Sequence, residues 1–443
     1  MKEAGSFSPR GSGVTTNDVR VRTLAVTAAI FLMAAAFILT KTGRDALYLQ
    51  GRGLYDLPFA YMGIAVLAVP TAFSMLAAIK HLGPRRARVV TPLAAAAMLA
   101  AFQQVARPGG GAVMTLFFML VPLVFGVLFS VSWLLAADLL EGTPRPDLAR
   151  AYGRIGAGSI LGALAGGLSA RALASTLDPR GLILVGAAAL AASAVVMALA
   201  QRSFAAVPLQ GAGGGETRVV FRSLFRERYP ALLLVTGMTA ALVGVLIEFQ
   251  FYLAAATAGS NTRENVVFFA NTYLALNGAG LLVQLFLMPG LQRAVGVHGS
   301  LMVLPGSLLA AAAAVLTGGG LAVRSVLRIT EGGLRSSIHR VNWEQAYLPL
   351  AGARRPAAKV LVDGAGARVA EGLAAVLLYA WLHVVVAGRP LQGRDTSEFT
   401  WLLLGALLLW VGLTYVLGRS LQQTGAAEPS GEAARVDIPL PDT

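Results

Sequence analysis

Apolar runs of bilayer-crossing length recur along nearly the whole chain, separated by short segments in which Gly, Pro and Arg concentrate. A membrane-spanning helix needs about 20 mostly apolar residues. Runs approaching or meeting that length lie at 22–40, 57–79, 89–105, 112–135, 152–173, 181–199, 231–255, 266–287, 299–316, 321–347, 360–386 and 399–417. They predict an all-α polytopic membrane protein of about 12 transmembrane helices in two six-helix halves. The polar stretches between them divide the chain. Residues 1–21 read as a basic cytosolic tail and 22–200 as the N-terminal half. Residues 201–228, with Gly211 to Gly215 and then Arg218, Arg222, Arg226, Glu227 and Arg228, read as a cytosolic linker. Residues 229–421 form the C-terminal half, and the Pro-containing stretch 422–443 reads as a disordered cytosolic tail.

The tenth run departs from the pattern. Arg324, Arg328, Glu331, Arg335, His339 and Asn342 follow one another at spacings of 4, 3, 4, 4 and 3, which puts them on one helical face. Leu321, Val323, Val326, Leu327, Ile329, Leu334, Ile338 and Val341 occupy the others. Gly318-Gly319-Gly320 precedes the run and Pro349 follows it. A charge at the centre of a bilayer costs roughly 2.5–3.5 kcal/mol on insertion scales, so such a stripe faces protein or a water-filled cavity. The competing reading is an amphipathic helix lying at the membrane surface. Three arginines against one glutamate leave positive charge over, which suits an anionic solute.

Polar residues inside other spans mark further candidates. Lys41, Arg44 and Asp45 close the first span at i, i+3 and i+4. Asp138 ends the fourth, before Thr143-Pro144-Arg145-Pro146 breaks the helix, and Arg154 opens the fifth. The fifth also carries Gly156, Gly158, Gly162, Gly166 and Gly167, a small-xxx-small pattern for close helix packing. Glu248 lies near the end of the seventh span, and Asn271, Tyr273 and Asn277 lie in the eighth. In the eleventh, Lys359 with Asp363 and Arg368 with Glu371 have ion-pair spacing. Gly83-Pro84-Arg85-Arg86 after the second span has a faint counterpart around Arg293 and Gly296 after the eighth, as internally repeated transporters show.

Composition narrows the classes. Charged residues make up 13% of the 443, about half the usual share for a soluble domain. A net charge of +14 would point to nucleic acid in a soluble protein; here the positive-inside rule accounts for it. Basic clusters at Arg20/Arg22, Lys80 to Arg88, Arg145 to Arg154, Arg218 to Arg228 and Arg354 to Lys359 fall on one side. Lys41, Arg44, Arg52, Arg107, Arg171, Arg180, Arg263, Arg389 and Arg394 are spread over the other. Both termini are therefore expected in the cytosol. The preference for Arg over Lys, with abundant Ala, Gly and Val, fits a GC-rich bacterial genome and a bacterial inner membrane. There is no cysteine, and the four histidines are scattered, so thiol chemistry and a metal site are not expected. The sequence shows no Ser/His/Asp constellation and no phosphate loop on a strand, so neither an enzyme nor a cofactor is expected. The expected partners are lipid and a small anionic solute, without nucleic acid, for a monomeric protein.

Three stretches carry a resemblance. Lys41-x-x-Arg44-Asp45-Ala46-Leu47 with Leu57-Pro58, then Tyr152-Gly153-Arg154-Ile155-Gly156-Ala157-Gly158-Ser159-Ile160-Leu161-Gly162, then Lys359-x-x-x-Asp363-x-x-x-x-Arg368, resemble the ATP:ADP antiporter family of plastids and bacteria, a branch of the major facilitator superfamily. The resemblance implies nucleotide exchange, with Lys41, Arg44, Lys359 and Arg368 holding phosphates and Asp138 and Glu248 as candidate counterparts of the family's carboxylates. Gly158-x-x-x-Gly162-Ala163-x-x-Gly166-Gly167 is also similar to the fifth-span motif of drug:proton antiporters, except that Ala163 stands where they have proline. On this reading Arg154, Arg324, Arg328, Arg335, Asn271, Tyr273 and Asn277 join the substrate site, and Asp45, Asp138, Glu248, Glu331, Asp363 and Glu371 serve as coupling or ion-pair carboxylates. The expected function is alternating-access transport of an anionic, phosphate-bearing solute. The alternatives are a proton-coupled porter, drug efflux, or a non-transporting membrane sensor or scaffold.

Overall fold

Helices form where the apolar runs lie, and most extend past them into polar sequence. The computed structural model describes residues 16–49, 53–106, 111–140, 143, 145–203, 227–257, 262–318, 320–347, 349–350, 358–386 and 397–426. Most of the expected linker and tails lies outside them. In order come α1 (Thr16–Tyr48), α2 (Gly53–Leu82), α3 (Pro84–Val105), α4 (Ala112–Leu139), α5 (Arg145–Leu173), α6 (Pro179–Ser203), α7 (Arg228–Thr257) and α8 (Thr262–Leu282). A π turn, Val283–Leu287, leads from α8 into α9 (Met288–Leu316). The tenth helix, α10, is Leu321–Leu334, a π turn at Arg335–His339, and Arg340–Ala346. The eleventh, α11, is a π segment at Val360–Gly366, then Ala367–Ala380 and a second π turn at Trp381–Val385; α12 is Ser397–Ala426. Ten helical stretches are long and apolar enough to cross a membrane. The exceptions are glycine-rich α5 and charge-striped α10, whose polar groups need protein neighbours rather than lipid.

Several boundaries differ from the sequence expectation for local reasons. Thr143-Pro144-Arg145-Pro146 does not delay the fifth helix, which starts at Arg145, because proline is tolerated in a first turn where the missing N–H has no partner to lose. The N-terminal tail is shorter than 1–21, since α1 begins at Thr16, and α12 runs on into the expected 422–443 tail as far as Ala426. The eighth span does not stop at 287. The chain continues helically to Gly296, whose φ of 66° breaks the helix that the ninth span then resumes. Gly83, with φ 78°, makes the same break between α2 and α3.

Packing repeats with an offset of six helices. α1 packs on α4, α5 and α6 as α7 packs on α10, α11 and α12. The pairs α2·α4 and α3·α6 have counterparts in α8·α10 and α9·α12. Across the halves, α2·α11 is matched by α5·α8, and α1·α8 by α2·α7. Gly83 and Gly296 occupy corresponding places in this repeat. Residues of both halves join a single apolar core cluster that includes Ile30, Phe118, Phe249 and Phe269.

The glycine ladder of α5 meets α1. A Cβ on Gly158 would meet Thr27, one on Gly162 the backbone of Phe31, and one on Gly166 the Ala35 carbonyl oxygen at 2.6 Å. These are two matching four-residue ridges, so the backbones approach as close as the missing side chains allow. Gly167 faces the other way, 3.5 Å from Leu274 of α8. Gly156 does not belong to the seam, because a Cβ there would meet open space.

Two substitutions separate these roles. Gly166→Ala forces Cβ into the backbone of α1 and is expected to destabilise by about 1–3 kcal/mol, while Gly156→Ala stays within about 0.5 kcal/mol of the parent. Thermal unfolding of the detergent-solubilised protein measures both.

Candidate functional site

Apart from the Arg88–Asp138 pair, the charged side chains drawn into the bundle concentrate toward one end of it. At the end where α1 stops and α2 starts, called here the Tyr48 end, Lys41 lies seven residues in, Tyr61 eight, Glu248 nine, Tyr273 eleven and Arg328 seven. At 1.5 Å of rise per residue these positions share a depth of roughly 10–16 Å. Helices of both halves therefore deliver their polar groups to one level.

Glu248 of α7 is the centre of the layer. Its Oε1 accepts from Lys41 Nζ of α1 at 3.1 Å and from Arg328 Nη2 of α10 at 3.1 Å. Its Oε2 accepts from the Tyr61 hydroxyl of α2 at 3.2 Å. Lys41 and Tyr61 belong to the first half and Glu248 and Arg328 to the second, so one carboxylate ties the halves together. Arg328 also pairs with Glu331, which in turn holds Arg335. A terminal nitrogen of Arg335 donates to the Ala240 carbonyl at 2.9 Å. The stripe read from sequence thus turns inward onto α7.

A second pair lies beside the first. Arg44 donates from Nε to Asp45 at 2.7 Å and stacks over the Phe118 ring at 4.0 Å. Asp45, fully buried, also accepts from the Tyr252 hydroxyl at 2.9 Å and from that of Tyr273, both in the second half. Lys41 Nζ sits 4.8 Å from the Tyr273 ring centre. Burying ions is tolerable when each is paired and hydrogen-bonded; here tyrosine hydroxyls donate to the carboxylates, while Arg328 Nε is left without a partner among the described residues.

Charge is more nearly balanced than the sequence implied. Four cations, Lys41, Arg44, Arg328 and Arg335, meet three carboxylates, Asp45, Glu248 and Glu331, leaving one net positive charge among these groups. Glu248 supplies part of the difference. Arg324, half-buried and three residues into α10, lies at the depth of Asp45 and brings the net charge to two.

Other expected site residues lie elsewhere. Arg154 is exposed on α5. Asp138 is buried against Arg88 at the opposite end of α4, outside the layer. Asn271 accepts from exposed Arg171 at 3.1 Å, and Asn277 donates to the Tyr273 carbonyl of its own helix at 2.7 Å. Lys359 does not pair with Asp363. The π segment Val360–Gly366 takes the two out of α-helical register, and Lys359 binds Glu344 at 2.6 Å, both half-exposed. Asp363 instead accepts from Trp343 Nε1 at 3.0 Å and the Tyr347 hydroxyl at 2.9 Å. Arg368 and Glu371 pair as spaced, at 2.6 Å. Sequence reasoning missed Tyr61 and Tyr252. Tyr252 carried a usable signal, one turn after Glu248; Tyr61 lies in an apolar run and carried none.

No protein-family model matches the chain, and no curated protein matches it in sequence. Solved structures do match it in shape. The POT family transporter PepTSo superposes with a TM-score of 0.65 at 10% identity, over 91% of this chain and 98% of that one. The nucleoside transporter NupG gives 0.60 at 12%, over 92% and 99%. A bacterial homologue of the human lysosomal transporter Spinster gives 0.55 at 13%, over 93% and 99%. At such identities the likeness is one of fold: the chain has the major facilitator fold, and it spans these structures end to end.

Removing Glu248 strands the partly buried Lys41 and leaves Arg328 with Glu331 alone. Glu248→Ala is expected to lower stability by about 3–5 kcal/mol. Against the single variants Lys41→Met and Glu248→Ala, the double variant Lys41→Met/Glu248→Ala recovers part of the loss, with a coupling above about 0.5 kcal/mol in a double-mutant cycle read by unfolding in detergent. Strict additivity would detach Lys41 from Glu248.

Proposed function

We propose that this protein is a secondary transporter working by alternating access between its two halves, and that it exchanges an anionic, phosphate-bearing solute. One observation carries the reading. Glu248 is held by a lysine from one half and an arginine from the other, at a common depth. An anion entering that layer competes with Glu248 for Lys41 and Arg328, so binding bears directly on the link between the halves. Both Lys41 and Arg328 are already engaged by Glu248, so an anion gains both cations only when the carboxylate gives way. Arginine suits the task, since its planar fork matches phosphate and carboxylate oxygens.

The empty carrier also has a rest state in this scheme, because its cations are neutralised from within. Reorientation with the Glu248 links broken and no solute in place would leave buried charges unpaired, which favours obligatory exchange. With both termini in the cytosol, as the loop charges suggest, the Tyr48 end is extracellular and Glu248 latches that side. The fold shared with nucleoside and peptide transporters supports transport as the activity. The resemblance of the Lys41 and Tyr152 stretches to the ATP:ADP antiporters makes nucleotides the first solutes to test.

A second reading has its own observation. Asp45 is wholly buried between Arg44 and two tyrosines of the opposite half, a setting in which a proton could be taken up as the halves part. That would make the protein a proton-coupled porter of the same fold.

Counterflow in proteoliposomes distinguishes them. Under exchange, efflux of preloaded ATP, ADP or phosphate requires one of them outside, and full-rate efflux into substrate-free buffer excludes it. Uptake that follows an imposed pH gradient supports proton coupling instead. Lys41→Ala and Arg328→Ala are expected to cut exchange by about tenfold or more, the worth of one charge-assisted hydrogen bond. Arg154→Ala is expected to leave it unchanged.

A further inference from the structure

Two helices lose their regular winding at the same place. The π turn Arg335–His339 of α10 and the π segment Val360–Gly366 of α11 both line one cavity beside α7. It has a volume of about 380 Å³ and is lined by Gly237 and Ala240 of α7, by Arg335, His339 and Trp343 of α10, and by Asp363 of α11. Ser336 and Arg340 complete its polar wall. π turns re-aim side chains and leave backbone hydrogen bonds poorly matched, and they gather at functional sites. Nothing in the Glu248 layer requires them here.

The lining holds polar capacity that the protein does not use. His339 is buried, stacked on Trp343 with ring centres 5.5 Å apart and edge-on to Trp410 at 5.7 Å, and its Nδ1 has no hydrogen-bond partner among the described residues. A buried polar atom left unsatisfied costs about 1–3 kcal/mol, so the imidazole carries hydrogen-bonding capacity that the described residues do not use. Both donors to Asp363, from Trp343 and Tyr347, go to Oδ1, which leaves Oδ2 to accept from something else. Arg335 spends Nε on Glu331 and one terminal nitrogen on Ala240, which leaves its other terminal nitrogen to donate. Arg340 is exposed and makes no ion pair among the described residues. The cavity is therefore lined by guanidinium donors, Arg335 and Arg340, and by acceptors, the Asp363 carboxylate of α11 and the His339 imidazole of α10.

We propose that this cavity is a binding subsite for a hydroxyl-bearing phosphate ester of sugar-phosphate size, with the phosphate against Arg335 and Arg340 and hydroxyls donating to Asp363 and the imidazole of His339. The proposal rests on the anion-transport reading above and adds the part of the solute that reading leaves open. A bare anion cannot use Asp363, which repels it; a neutral sugar cannot use the arginines. Only a solute carrying both satisfies the wall. Arg335 joins this cavity to the Glu248 layer through Glu331, so a phosphate at Arg335 bears on the same ion-pair chain that links the halves.

The test is ligand protection of the full-length protein in detergent, read as a shift in thermal unfolding against inorganic phosphate, glucose 6-phosphate and glucose. The parent is expected to bind glucose 6-phosphate about tenfold tighter than phosphate, the worth of one or two hydrogen bonds, and to ignore glucose. His339→Phe keeps the aromatic stack, and Asp363→Asn keeps the acceptor for Trp343 and Tyr347. Each is expected to remove most of that tenfold advantage while leaving phosphate binding in place, whereas Arg340→Ala weakens both ligands together. If one variant does not fold, the other still decides. Equal binding of the two anions by the parent, or an advantage that survives in the variants, overturns the subsite and leaves anion transport standing. Protection by neither anion overturns the subsite together with the anionic reading on which it rests.

Discussion

An ion inside a bilayer protein needs a counter-ion, and that requirement organises this molecule. Glu248 meets it for Lys41 and Arg328 at once. Because the two cations come from opposite halves, the same contact that makes burial tolerable also fixes the halves against each other. Few other arrangements would do. Lys41 has no carboxylate of its own half within reach of its ammonium among the described ion pairs, since Asp45 is taken by Arg44, Tyr252 and Tyr273. The first half thus depends on the second for its charge balance.

The packing places the layer. α1 carries Lys41, Arg44 and Asp45 to their common depth because Gly158, Gly162 and Gly166 of α5 let it lie backbone to backbone. α10 is fixed similarly against α8, where Gly332 and Gly333 face Leu276 and Gly280. Gly244 leaves the space that the Arg335 guanidinium fills, 3.1 Å from where its Cβ would stand. Small residues therefore set helix positions, and helix positions set which charges meet. The energetics of the site and the geometry of the fold are one problem.

How much of this was legible in the sequence depends on the range of the signal. Spans followed from apolar run length, a local property that the bilayer imposes. The stripe on α10 followed from helical period, and the α5 ladder from glycine spacing. Partner choice did not follow, because it depends on which helices abut. Lys359 and Asp363 had the spacing of a pair, yet a π segment separates them, and π turns leave no mark in composition. Asp138 looked like a member of the site, but its helix runs the other way and carries it to the far end, to Arg88. The echo of Gly83 in Gly296 was faint in sequence because only the conformation repeats: both break a helix with positive φ at corresponding turns.

The internal pairing of the layer has a mechanistic consequence that the arginine count alone conceals. A strongly positive empty cavity would bind any anion tightly and release it slowly. A cavity already filled by its own carboxylates binds only by substitution, so affinity is the difference between two sets of similar contacts and stays moderate. Moderate affinity with a large rearrangement is what turnover requires. Substitution also makes selectivity depend on groups beyond the competing anion, since phosphate and carboxylate oxygens present much the same face to an arginine. Discrimination between anions must then come from where the rest of the solute lies. In this chain the polar wall beside Arg335 is joined to the Glu248 layer through the Arg328–Glu331–Arg335 chain of ion pairs.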